Sequence, residues 1–120
     1  MRSRHLVITA AVVALALGQG LPAQAATLIR AKGVSCASSA RYVPSSVSVA
    51  KGATVVWKSA CNKHTVTAYG GTWSKDTTIA KGQTTSRKFT SNGTFRFRCR
   101  FHSSLSGGVC YGMCGRVNVG

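Results

Sequence analysis

Cys99-Arg100-Phe101-His102 sets a thiol and an imidazole on either side of a tight turn at the end of a strand-like run. By itself a Cys-x2-His spacing is a weak signal. Two other segments strengthen it. Gly112-Met113-Cys114-Gly115 offers a thioether just before the last apolar run, and His64-Thr65-Val66 opens a run far upstream with a second imidazole. Two imidazoles, one thiolate and a weak thioether make the trigonal donor set with a long axial ligand that suits copper in electron transfer. Taken singly, His64 reads as a hydrogen-bonded strand-end histidine, Met113 as core filling and Cys99 as a spare thiol. None of those readings accounts for all four residues.

Other chemistry has little to work with. Asp76 is the single acidic residue among 120, against 16 Lys and Arg, for a formal net charge of +15. One carboxylate cannot form the pair needed for glycoside hydrolysis, and it offers almost nothing to a calcium cage built from acidic oxygens. Any metal must therefore be held by nitrogen and sulfur. A complete ligand set leaves no open coordination position for a substrate and the chain has few acid–base groups, so an enzyme is not expected.

The elements that would position these donors are short strands. Val, Thr, Ser and Gly dominate residues 26–120, and apolar and polar residues alternate without helical periodicity. Strands are expected over 27–32, 46–50, 54–59, 65–68, 84–89, 93–99 and 115–119. Turn signals separate them at Pro44-Ser45, Lys51-Gly52, Gly70-Gly71, Lys81-Gly82 and Asn92-Gly93. About seven or eight such strands give an all-β antiparallel sandwich or barrel. The Ser-Gly-rich stretch 103–108 is expected to be a loop. Period-two alternation puts Cys99 on one face with Phe95 and Phe97, Met113 with Val117 and Val119, and His64 with Val66 and Ala68, while Arg96 and Arg98 take the outer face. Trp57, Phe89, Phe95 and Phe97 are assigned to the core, and Arg96, Arg98 and Arg100 to a solvated face.

Residues 1–25 have the form of an export signal: Arg2, Arg4 and His5 precede the apolar run 6–17, which ends in Ala23-Gln24-Ala25. The apolar run is well short of the roughly 20 residues that span a bilayer. The mature chain is thus expected at 26–120, one domain, in a secreted or extracytoplasmic location, with a formal charge lowered from +15 to +13 by the loss of Arg2 and Arg4. All five cysteines, Cys36, Cys61, Cys99, Cys110 and Cys114, lie in that part. Export favours disulfides, and an odd count leaves one thiol to be explained.

Four ordered blocks carry a family resemblance: Gly52-Ala53-Thr54-Val55-Val56-Trp57, His64-Thr65-Val66-Thr67-Ala68, the run from Gly93 to His102, and Gly112-Met113-Cys114-Gly115-Arg116-Val117-Asn118-Val119. The sequence resembles the plastocyanin-like cupredoxins over nearly all of 26–120, with Tyr42-Val43-Pro44 and Val47-Ser48-Val49 matching the family's early strands. The resemblance implies a Greek-key β-sandwich with a type 1 copper ion at one end, His64, Cys99 and His102 as equatorial ligands and Met113 as the axial one. It also implies His102 as the exposed ligand through which electrons leave. The N–H beside Thr65 is a candidate donor to the Cys99 sulfur. Two features depart from the family: the stretch between His102 and Met113 is longer than usual, and four cysteines are additional. Those four allow three disulfide connectivities. The family's topology brings Cys36 and Cys61 to the copper end, which favours Cys36–Cys61 with Cys110–Cys114, although either of the latter pair could instead reach Cys61.

The leading expectation is a monomeric one-electron carrier with copper cycling between Cu(I) and Cu(II) and a redox partner protein, acidic if Arg96, Arg98 and Arg100 form the docking face. Copper sequestration or delivery outside the cell is one alternative. A metal-free, disulfide-stabilised cationic protein that binds anionic cell surfaces is another. Nucleic-acid binding is disfavoured by export and by the lack of a reading element.

Overall fold

Alternation of apolar and polar residues builds two sheets that each bury one face. In the computed structural model, which describes residues 25–33, 36 and 38–120, nine strands follow in order. They are β1 (Thr27–Lys32), β2 (Arg41–Val43), β3 (Ser46–Val49), β4 (Thr54–Ser59), β5 (His64–Tyr69), β6 (Asp76–Ile79), β7 (Thr84–Lys88), β8 (Gly93–Ser106) and β9 (Val109–Val119). One sheet has the order β2-β1-β4-β7 and the other β3-β9-β8-β5-β6. The expected all-β sandwich is present. Two of its pairings are parallel, β1 with β4 and β3 with β9; the others are antiparallel.

One strand, β6, and one extension lie outside the sequence expectation, while β2 falls where the resemblance placed an early strand, at Tyr42-Val43. β2 and β6 are short edge strands, three and four residues long, and too brief to show alternation. The 103–108 stretch is not a loop. β8 runs on to Ser106, and Ser103–Gly112, Ser104–Tyr111, Leu105–Cys110 and Ser106–Val109 form a paired hairpin. Its turn is Gly107-Gly108, with φ of 57° and 80°, the left-handed values that a two-residue hairpin turn of matching twist requires.

Between the sheets, Ile29, Ala31, Val55 and Trp57 face Val66, Phe97, Val117 and Val119, all buried. Trp57, Phe89, Phe95 and Phe97 are in the core as expected. Phe97 is the central contact, edge-on to both Tyr42 (4.7 Å between centroids) and Trp57 (5.2 Å). Each such pair adds about 0.5–1.5 kcal/mol beyond area burial. Trp73, unassigned from its sequence context, stacks on Trp57 and donates its indole N–H to the Arg96 carbonyl at 2.8 Å. It closes the end of the core where Phe89 and Phe95 meet.

Phe97 also faces Gly115 directly across the β8–β9 ladder. A Cβ at 115 would fall inside the Phe97 ring's envelope and 2.7 Å from the Ser45 carbonyl oxygen. Gly115→Ala should therefore destabilise the fold by about 1–3 kcal/mol, the usual cost of overpacking, seen as a lower denaturant midpoint with unchanged slope. An unchanged midpoint would show that the ring can retreat.

Candidate metal centre

The site grows from an interruption in the longest ladder. Arg98 pairs with Cys114, but Ser103, five residues on, pairs with Gly112, only two residues back. Cys99, Arg100, Phe101 and His102 consequently bulge opposite Met113 alone. Bulges re-aim side chains, and this one turns Cys99 and His102 toward the same point. His64, the first residue of β5, completes the group.

Three donor atoms converge there. The Cys99 Sγ lies 3.8 Å from His64 Nδ1 and 3.5 Å from His102 Nδ1, and all three lie within 4.8 Å of one another. His64 and Cys99 are fully buried, and His102 is half-buried. Met113 is fully buried on the strand facing the bulge. Cys99 is the free cysteine among the described residues. The other four form Cys36–Cys61 and Cys110–Cys114, the pairing that the resemblance favoured.

The His64 ring is pre-set as a ligand. Its Nε2 is 2.8 Å from the Cys61 carbonyl oxygen. A carbonyl only accepts, so Nε2 carries the proton and Nδ1 turns a bare lone pair toward the sulfur. Burial pushes the imidazole's pKa below its ordinary value, and His102 adds to this against the opposing Cys61 and Gly33 backbone bonds. The ring is therefore neutral at neutral pH. The Cys36–Cys61 bridge ties down the segment that supplies this carbonyl.

Thr65 organises the rest of the site. Its N–H donates to Cys99 Sγ at 3.3 Å, its carbonyl accepts from the Tyr42 hydroxyl at 2.6 Å, and its Oγ1 accepts from the Arg100 N–H at 2.8 Å. Burial, with the nearby Cys99 next, pushes the Tyr42 phenol far above its ordinary range, so it remains a neutral donor. The Thr65 hydroxyl is 2.9 Å from that of Thr67, which donates to Asp76 Oδ1, and the Arg100 guanidinium closes on the same oxygen at 2.9 Å. Ser103 donates to the Cys99 carbonyl at 2.5 Å and accepts from Arg98 at 3.2 Å.

These contacts correct one expectation. Of the three arginines only Arg96 is exposed without an acceptor among the described residues; Arg98 is half-buried and donates to Ser103, and Arg100 is ion-paired to Asp76. The Thr65 amide was anticipated as a donor to sulfur. Tyr42, the Thr65 hydroxyl and the Cys61 carbonyl were not anticipated as parts of the site. A sequence gives no sign of where a carbonyl points, but Asp76, alone among so many cations, was a visible candidate for a specific partner.

Removing the Thr65 hydroxyl would leave the Arg100 N–H without its acceptor. Thr65→Val should lower stability in denaturant unfolding, by about 1 kcal/mol for a part-buried donor left without its acceptor. Asp76 gives a pH signature. The Thr67 hydroxyl and then Arg100 hold its carboxyl below the ordinary carboxylate range. Its stabilisation is thus present at neutral pH and lost as pH falls through the folded value. Asp76→Asn should flatten the loss of stability below about pH 4, and an acid limb unchanged in the variant would assign that loss to other groups.

With this geometry in hand, the chain can be set beside known proteins. The profile of the copper-binding proteins of the plastocyanin/azurin family matches residues 30–120. No curated protein sequence matches. Among solved structures, amicyanin from Paracoccus versutus is similar at 20% identity, covering 84% of this chain and 86% of that one with a TM-score of 0.60. A purple cupredoxin from Nitrosopumilus maritimus is similar at 17% identity, with 78% and 99% covered and a TM-score of 0.59. A copper-containing nitrite reductase from Thermus scotoductus is similar at 17% identity and a TM-score of 0.63; the match covers 88% of this chain but only 26% of that one. At these identities the structures speak to the fold, and the profile match speaks to the family. Copper is the metal of that family, and the His64, Cys99 and His102 donors suit it. Over residues 30–120, this chain belongs to the plastocyanin/azurin family of copper-binding proteins.

Proposed function

We propose that the chain is an exported one-electron carrier with a mononuclear type 1 copper site in which His64, Cys99 and His102 are the equatorial ligands and Met113 the axial ligand. The observation that carries this reading is the convergence of one thiol and two Nδ1 atoms opposite a buried Met113. Bound copper would supply a couple between Cu(I) and Cu(II). The protein contributes a dry, braced cage. His64, Cys99 and Met113 exclude water, and Thr65 and Cys61 hold the sulfur and one imidazole in place by backbone hydrogen bonds. Donors fixed in this way move little when the charge at the centre changes, which favours rapid electron transfer.

The surface supports transient docking. His102 is the half-buried member of the trio, and Phe101, Leu105, Val109 and Tyr111 are exposed on the segment around it. An apolar rim around the accessible ligand suits a small interface with a redox partner, and the formal charge of +13 on residues 26–120 favours an acidic one. Export rests on the form of residues 1–25, of which 1–24 lie outside the described residues, and on the two disulfides. Among the described residues no helix is long and apolar enough to cross a membrane.

Copper-loaded protein should show intense visible absorption from thiolate-to-copper charge transfer, abolished in Cys99→Ser. Met113→Gln should keep that band and lower the reduction potential, because a harder oxygen donor stabilises Cu(II). An unmoved band and potential in Met113→Gln would remove Met113 from the ligand set. Reduction and reoxidation by one electron per protein, with no copper lost to a competing chelator, supports the carrier; ready loss of Cu(I) to an acceptor would instead make this a copper-delivery protein.

A further inference from the structure

The outer face of the five-stranded sheet carries a feature that copper chemistry does not use. Arg96 on β8 and Arg116 on β9 are directly opposite each other, and the same cross-strand row continues to Tyr69 on β5 and Ser46 on β3. Two like charges facing each other across a ladder are destabilising. Nothing nearby relieves them, since the only acidic residue of the chain, Asp76, is held by Arg100. The row borders an open concavity of about 260 Å³ that Cys114 also lines.

The donors around this concavity come from three directions. Arg116 Nε donates to the Ser46 hydroxyl at 3.3 Å, and Asn118 Nδ2 approaches the same oxygen at 3.4 Å. With its oxygen occupied as an acceptor, Ser46 has its own O–H proton free to point outward. Among the described residues the Arg96 guanidinium has no acceptor, and Tyr69, which carries a hydroxyl, is among the residues that line the same space. A flat carboxylate is satisfied by one guanidinium fork. Two guanidinium groups and two hydroxyls arranged around a hollow suit a tetrahedral oxyanion. The volume, several times a water's share of about 30 Å³, admits a phosphate with an organic substituent.

We propose that Arg96, Arg116, Tyr69 and Ser46 form a binding site for phosphate groups, and that its ligand is a phosphodiester polymer of the kind presented on anionic cell surfaces. A repeating anion fits both this row and the surplus of cations over the rest of the chain, which favours polyanions over single ions. The site is independent of the copper assignment and is read without it.

Calorimetric titration of the full chain at about 0.15 M ionic strength, where long-range attraction is screened, tests the proposal with inorganic phosphate, poly(glycerol phosphate) and polyglutamate as probes. Poly(glycerol phosphate) should bind tightest, and inorganic phosphate should bind weakly at the same site. Arg96→Gln and Arg116→Gln should each weaken polymer binding by about tenfold or more, the loss of one charge-assisted contact. Lys58→Gln and Lys88→Gln remove the same charge from the other sheet and should change it less than about twofold. All four positions are exposed, and circular dichroism confirms the fold of each variant. Equal losses in both pairs would reduce the effect to bulk charge. Polyglutamate binding as tightly through the same arginines would replace the phosphate site with a carboxylate-docking face, and no binding by any probe would remove the site.

Discussion

The centre depends on three hydrogen bonds made by one buried residue. Placing a thiol and two imidazoles at the end of an apolar sandwich exposes the fold to the cost of unpaired polar groups, about 1–3 kcal/mol each. Thr65 meets much of that demand. Its amide faces the Cys99 sulfur, its carbonyl takes the Tyr42 hydroxyl, and its side chain takes the amide of Arg100 inside the ligand bulge. The first sheet supplies Tyr42, and the second supplies Thr65, Cys99 and Arg100. One residue therefore ties both layers of the sandwich to the ligand loop, and the ligands are positioned by the protein's own bonds.

The extra length in β8 explains why this geometry survives a long ligand segment. Residues 103–112 form a paired hairpin that turns at Gly107-Gly108 and is bridged back to the ladder by Cys110–Cys114, so that Met113 sits between a disulfide and a continuous sheet. Cys36–Cys61 acts similarly on the opposite side, next to the carbonyl that orients His64. Among the described residues none of the four bridged cysteines belongs to the core cluster around Phe97. Both bridges add covalent ties beside the ligand-bearing segments, which suits a domain of this size with a modest core.

Much of this was legible in the sequence. β1 and β4 coincide with the runs 27–32 and 54–59, because alternation there spans a full strand. The parity of Phe95, Phe97 and Cys99 in β8, and of Met113, Val117 and Val119 in β9, matches their burial. β2 and β6 are too short for a period of two to emerge, so β2 was legible only through the resemblance at Tyr42-Val43-Pro44 and β6 not at all. The hairpin was hidden by composition: Ser103-Ser104-Leu105-Ser106 reads as loop until the Gly-Gly turn is given its left-handed geometry. At the site, the side-chain donors announced themselves by type and spacing. The groups that orient them are mostly backbone N–H and C=O, which every residue carries, so only the fold reveals which ones are used.

All of this requires His64, Cys99 and His102 to share one copper ion. X-ray absorption at the copper edge of the loaded full chain addresses it most directly. Two imidazole nitrogens and one short sulfur are expected around the metal, with the sulfur lost in Cys99→Ser. A shell of only nitrogen and oxygen, or one holding two short sulfurs, would contradict it.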